Sequence, residues 1–249
     1  PILIITLYAF TTDDGGFTLS NFQDMAQYTS AFGRSFLLAA IATVVCLLIG
    51  YPLAYLLARE SGWLHRMANM LIMLPMWMNF LLRTYSWKFL LERHGLINTL
   101  LGLLGLGPFQ MIDTQGAIVL GMVYNFLPYM VLPIFSVIEK IDPKVIEAAQ
   151  DLGADSITVF RRVILPLSLP GVLSGITMVF IPSVSTFAIS RLLGGSKTLL
   201  LGNLIDMQFL GSAYNPHLGS AISLVMMVIV MVCMAVMNHF GDGEEGVTL

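Results

Sequence analysis

Long stretches of this chain contain no charged residue, and nothing else in the sequence restricts its fold as strongly. Asp, Glu, Lys and Arg are missing from 24 residues between Arg34 and Arg59, 25 between Asp113 and Glu139, and 28 between Arg162 and Arg191. They are missing again from 35 residues between Asp206 and Asp242, of which about Leu218 to Phe240 is the hydrophobic part. Each run exceeds the roughly 20 apolar residues that carry a helix across a bilayer. A fifth stretch, Met67 to Leu82, holds only 16 uncharged residues; to cross it must extend through about Leu90, carrying Arg83 and Lys88 near its outer end. The first run, Pro1 to Phe10, is about half a span and lacks the basic start and small-residue cleavage site of a signal peptide. It reads as the outer half of a truncated first helix. The expectation is an all-α membrane protein of about six spans, a single transmembrane domain over residues 1–249.

Composition agrees. Hydrophobic residues make up 57 % of the chain and charged ones 11 %, against roughly 25 % charged in soluble domains. So few charges cannot coat a water-facing surface of this size, which excludes a soluble enzyme. The net charge of −3 without a basic run excludes nucleic acid as a partner. Cys46 and Cys233 lie inside apolar runs and read as small hydrophobes. Pro52, Pro75, Pro128, Pro133, Pro166, Pro170 and Pro182 fall within the spans, where kinked helices are expected. A membrane enzyme would need an activated nucleophile or metal ligands at depth. His65, His94, His217 and His239 are instead scattered over loops and helix ends, so neither a catalytic nor a metal site is expected. No phosphate-binding GxxxxGK[ST] loop occurs, and GGSKT at Gly194 to Thr198 lacks its spacing.

Between the spans, Thr11 to Gly33 is a polar loop with Asp13, Asp14 and Asp24. The run LINTLLGLLGLG shows helical spacing too short to cross and is expected on the membrane surface. Leu199 to Leu210 forms another short amphipathic piece, with Asp206. Orientation does not follow from Lys and Arg: Arg59, Arg66, Lys140, Lys144, Arg161 and Arg162 on one side balance Arg34, Arg83, Lys88, Arg93, Arg191 and Lys197 on the other.

The connection ahead of the fifth span reads DPKVIEAAQDLGADSITVFRRVILPLSLP. Asp142 is a good N-cap with Pro143 at the first helical position, helix formers run to Leu152, and Gly153 suits a left-handed helix end. A second helix starts at Asp155 or Ser156. Val145, Ile146, Ala149 and Leu152 share one face, an apolar stripe with something to bury against.

Glu147, Ala148 and Ala149, three residues, Gly153, nine residues, then Val163, Ile164, Leu165 and Pro166 match the E-A-A…G…I-x-L-P hallmark of a known family, with Val163 replacing Ile. The chain thus resembles the MetI-like membrane permease subunits of ATP-binding-cassette importers. In the longer stretches NFLLRTYSW, IEKIDPKVIEAAQDLGA and GGSKTLLLGNLIDMQFL it resembles the spermidine/putrescine branch. The resemblance implies a cytoplasmic coupling loop over 142–166 that docks in a cleft of an ATPase subunit, with Glu147, Ala148, Ala149, Gly153, Val163, Leu165 and Pro166 as its motif residues. Small side chains at 148 and 149 let a partner approach, and Glu147 can pair with its Arg or Lys. It also implies a multi-pass protein of the bacterial inner membrane that is not itself an enzyme and binds no cofactor. ATP and Mg would be held by a PotA-like ATPase dimer, beside a PotC-like second permease and a PotD-like external binding protein. The same fold and loop serve permeases for sulfate, molybdate, iron or phosphonate, an alternative that stays open.

A polyamine is a flexible polycation, so a tight site would offer carboxylates and aromatic faces. No Asp or Glu falls in 61–91, 114–138, 156–205 or 207–241. The path is therefore expected to use weak contacts, from Trp77, Asn79, Tyr85 and Trp87 in the third span, Tyr124, Asn125 and Tyr129 in the fourth, and Ser183, Ser185 and Thr186 in the fifth. Tyr85 and Trp87 also fit an interfacial aromatic belt, and Asn79 and Asn125 equally fit helix-to-helix hydrogen bonds. Arg83 is expected to snorkel to the outer headgroups, or else to pair with an acid at the outer gate or in the second permease. Asp206 is the favoured contact for an ammonium group, against the plainer reading of an exposed loop acid.

Overall fold

A computed structural model describes residues 2–12, 15–60, 62–195, 198–211 and 213–241. The loop acids Asp13 and Asp14, Lys197 of the GGSKT segment, and the side chains of His65, Arg66 and His239 lie outside the described residues. Among those described, the chain is helical, with one isolated bridge between Thr11 and Phe17. In order the helices are α1 (Ile2–Ala9), α2 (Ser20–Met25), α3 (Thr29–Arg59), α4 (Trp63–Trp77), α5 (Phe80–Leu91), α6 (Leu96–Leu103) and α7 (Gln115–Glu139). They continue as α8 (Pro143–Asp151), α9 (Ser156–Val159), α10 (Leu165–Ser185), α11 (Ala188–Leu193), α12 (Leu201–Leu210) and α13 (Pro216–Gly241).

Among the described residues, four helical segments are long and apolar enough to cross a membrane: Ser20–Arg59, Gln115–Glu139, Ser156–Ser185 and Pro216–Met237. They coincide with four of the charge-free runs. Pro52, Pro128 and Pro133 sit inside continuous helices, and a π turn, Phe160–Ile164, lies just ahead of Pro166. A widened turn there relieves the clash of the proline ring with the carbonyl four residues back.

Two of the expected spans are interrupted. The third breaks at Met78, whose backbone is extended (φ −77°, ψ 147°), and restarts as α5 with Asn79 as N-cap, its Oδ1 accepting from the Leu81 and Leu82 N–H groups at 2.9 and 3.3 Å. Asparagine favours such a cap over a helix interior, since its side chain competes for backbone donors. The fifth ends at Ser185 and resumes at Ala188 as α11.

The chain divides into two compact units. The first comprises Pro1–Ala42, Asn79–Met122 and Ile181–Met234. Leu38, Ile118, Met122, Ile189, Leu193, Leu200, Leu201 and Ile222 are fully buried in it. Here α5 packs against α6 and α11, and α11 against α12. The buried Ser35 hydroxyl accepts the Leu201 N–H at 2.8 Å, satisfying a donor at the start of α12. Asn98 staples the loop after α6, donating to the Glu92 and Phe109 carbonyls and accepting from the Phe109 N–H. Both short amphipathic pieces thus turn residues inward, Asn98 from α6 and Leu201, Leu204 and Gln208 from α12.

The second unit comprises Thr43–Met78, Val123–Phe180 and Ala235–Leu249. Cys46, Met130, Val131, Ile134 and Ile164 are buried in it. Close helix approach is set by Gly50, Gly171 and Gly175: a Cβ on Gly171 would lie 2.8 Å from the Pro133 carbonyl oxygen, and one on Gly175 2.8 Å from Met130 Sδ. Gly171 and Gly175 form a GxxxG pair, the small-residue spacing that lets membrane helices touch backbone to backbone. The Tyr51 and Ser168 hydroxyls hydrogen-bond at 2.8 Å within this packing, and Tyr51 and Tyr55 set their rings edge-on to Phe160.

Candidate functional site

The connection between the fourth and fifth spans folds as its sequence dictates. The Asp142 carboxylate accepts from the Lys144 N–H at 2.9 Å, and Pro143 opens α8. Gly153 ends the helix at φ +85°, a conformation that costs glycine nothing, and the Ala154 N–H closes the turn on the Ala149 carbonyl. Asp155 then caps α9, accepting from the Thr158 N–H at 3.1 Å. Hydrogen bonds from the Thr158 side chain and then from its backbone hold the Asp155 carboxyl below the ordinary carboxylate value. This cap therefore keeps its charge to a lower pH than an unperturbed aspartate would, and its contribution is lost as pH falls through that lowered value.

None of the α8 residues is buried. Glu147 and Ala148 are exposed and Ala149 half-buried. Of the apolar stripe, Ile146 lines a cavity of about 270 Å³ with Ile138, Ile141 and Ile164, where Arg59 lies 4.5 Å over the Tyr55 ring. Val145 remains 45 % exposed and Leu152 90 %. Part of the apolar stripe, Val145 and Leu152, together with the Glu147 carboxylate and Ala148, is therefore left uncovered by this chain, while Ile146 and Ala149 face inward. Val163 is half-buried, and Leu165 and Pro166 are exposed at the start of α10.

The residues considered for a path divide between the two units. Trp77, 82 % exposed, and Tyr129 belong to the second. Tyr124 is half-buried there, and Asn125, on the same helix, is buried. Asn79, Arg83, Tyr85, Ser183, Ser185 and Asp206 belong to the first. Asn79 is a helix cap rather than an interhelical bridge, because the chain breaks where it stands. Tyr85 and Ser185 are exposed, the Ser185 hydroxyl donating to the Ile181 carbonyl of its own helix, while Ser183 and Thr186 are buried.

Arg83 corrects its sequence expectation. It does not snorkel: it is 7 % exposed, and its Nε and Nη1 are buried without a hydrogen-bond partner. The restart at Asn79 accounts for this. On one straight helix Arg83 would continue toward the headgroups; on α5 it sits in the first turn of a helix packed against α6 and α11. The unpaired buried donors carry a desolvation cost of about 1–3 kcal/mol or more. Arg83→Met, apolar and similarly long, is expected to raise the thermal midpoint of the purified transporter by a few degrees. A lower midpoint in a melting curve would contradict this.

Asp206 is not a free loop acid. It lies on α12, and its Oδ2 accepts from Arg191 Nη1 on α11 at 3.0 Å. The pairing of residues 15 apart depends on the break at Thr186 and Phe187, which the unbroken hydropathy conceals. Nearby, the Ser190 hydroxyl bonds to the Asn203 Oδ1 and ties α11 to α12.

A helical, multi-pass membrane chain with an uncovered EAA helix defines a class: the permease subunit of an ATP-binding-cassette importer. The family model described as "Binding-protein-dependent transport system inner membrane component" matches residues 50–242, and the chain belongs to that family. It is a transport subunit, not an enzyme, and one component of a system that depends on a binding protein. The spermidine/putrescine transport system permease protein PotB of Haemophilus influenzae is 38 % identical over 239 residues, covering 92 % of this chain and 83 % of the relative. The fold resembles that of a bacterial ABC transporter involved in the import of the acidic polysaccharide alginate, with a TM-score of 0.83, 16 % identity and coverage of 96 % of this chain and 88 % of the other. It also resembles that of the inward-facing MetNI methionine ABC transporter, with a TM-score of 0.67, 17 % identity and coverage of 88 % and 97 %. The all-α, MetI-like expectation holds.

Proposed function

We propose that this chain is the permease subunit of an ATP-driven polyamine importer and carries spermidine or putrescine. The observation that carries the reading is α8: a capped helix with Glu147, Ala148 and Ala149 on it and none of its residues buried, in a chain 38 % identical to a polyamine permease. In this reading α8 lies on the cytoplasmic side and inserts into a PotA-like ATPase dimer. Glu147 pairs with a basic side chain there, Ala148 and Ala149 permit close approach, Leu152 is covered on docking, and Gly153 makes the return toward Val163, Leu165 and Pro166 possible. ATP and Mg are bound by that partner. A PotC-like permease forms the other half of the path, and a PotD-like binding protein delivers the cargo outside.

Selectivity then rests mainly with the binding protein. The continuous spans hold no central carboxylate, and Trp77, Tyr85, Tyr129 and Ser185, which are exposed, with the half-buried Tyr124, offer contacts weak enough for release. Asn125 and Ser183 are buried within the chain and Asn79 is held in its cap, so these three contribute little to a path. In this reading Asp206 meets an ammonium group of the cargo. The reading is tested by ATP hydrolysis of the reconstituted complex. Binding protein loaded with spermidine or putrescine is expected to stimulate it several-fold. Stimulation by a sulfate- or molybdate-loaded binding protein, with none from the polyamine form, would contradict it.

A further inference from the structure

We propose that the Asp206 carboxylate is an ammonium site occupied at rest by the Arg191 guanidinium, and that a cargo ammonium group takes the place of Arg191 as it passes. The proposal rests on the polyamine reading above and adds to it how this subunit holds and releases a polycation without a tight site. Between residues 156 and 241, Asp206 is the one acid in the sequence. Its side chain is 22 % exposed while that of Arg191 is 68 % exposed, so the acid is set into the wall and the cation stands out from it. The pair opens on a cavity of about 540 Å³ lined also by Thr198, Asn203 and Gly211.

Three properties follow from that asymmetry. An ion pair with one partner this exposed is worth only about 0–1 kcal/mol, weak enough to exchange. Ammonium and guanidinium both donate N–H to a carboxylate, so the trade leaves Asp206 paired throughout. Arg191 loses little on release, since this chain covers only about a third of its side chain. The returning guanidinium then displaces the departing cargo, and the site does not become a trap.

The test is equilibrium binding of labelled spermidine to the purified importer complex in nanodiscs, without binding protein. Arg191→Gln is expected to raise retention about fivefold, Arg191→Lys to leave it near the starting level, and Asp206→Asn added to Arg191→Gln to abolish the gain. Higher salt should erode the gain. Unchanged retention in Arg191→Gln, or a gain that survives Asp206→Asn, would overturn the exchange. Uptake by the unmodified complex with its binding protein separates the two readings. Spermidine uptake with no effect of Arg191→Gln on retention removes only the exchange; no spermidine uptake removes the polyamine reading and the exchange with it.

Discussion

Glu147→Arg is expected to abolish ATP-driven uptake while the permease remains inserted and assembled with its membrane partner. Glu147 is exposed on a helix none of whose residues is buried, so the substitution disturbs no packing within this chain. If Glu147 pairs with a partner's cation as proposed, reversing its charge replaces an attraction with a repulsion and leaves that cation desolvated and unmatched. That amounts to about 2–5 kcal/mol, or roughly thirty- to several-thousand-fold in coupled turnover. The readout is uptake by vesicles alongside quantification of the inserted subunit. Uptake at the original rate would remove α8 from the coupling role. Leu152→Ser gives a milder companion, because the apolar area to be covered on docking shrinks while the charge stays.

Gly171→Leu should be equally drastic for a different reason. A Cβ there would meet the Pro133 carbonyl oxygen at 2.8 Å, Val137 Cγ2 at 3.0 Å and the Ile134 Cα at 3.1 Å, and two of these three are backbone atoms that cannot step aside. The helices must separate, forfeiting the contact that Gly171 and Gly175 make possible along α7. A loss above about 3 kcal/mol is expected, seen as disappearance of the monodisperse peak when the detergent-extracted protein is run by fluorescence-detected size exclusion. At Gly175 the nearest atom is the flexible Met130 Sδ, with the Met130 carbonyl oxygen at 3.1 Å. Gly175→Ala is therefore expected to cost less. An undiminished peak for Gly171→Leu would show that α10 does not lie on α7 as described.

What the sequence discloses about this molecule is whatever local chemistry decides. Asp142 with Pro143, Gly153 and Asp155 are short-range signals for helix start, stop and restart, and α8 and α9 fall where those residues put them. The four long spans are equally legible, because a charge-free run has few other places to go. The breaks at Met78 and at Thr186 and Phe187 are not legible in the same way: hydropathy runs through both, and each depends on what the chain packs against. Both consequences that escaped the sequence follow from those breaks. Arg83 is buried because the chain restarts at Asn79 as a helix packed against α6 and α11, and Asp206 is paired because Arg191 of α11 reaches α12. The Gly171 and Gly175 spacing could have been noticed in advance as a small-residue pair, yet nothing in it named α7 as the surface it would touch.

The most direct test of the account is accumulation of labelled spermidine inside proteoliposomes holding this permease, its partner permease and the ATPase, with binding protein outside and ATP enclosed. Uptake that requires ATP and the binding protein and is lost with Glu147→Arg is expected. Spermidine uptake that proceeds without ATP, or ATP-driven uptake of molybdate or sulfate with none of spermidine, would contradict it.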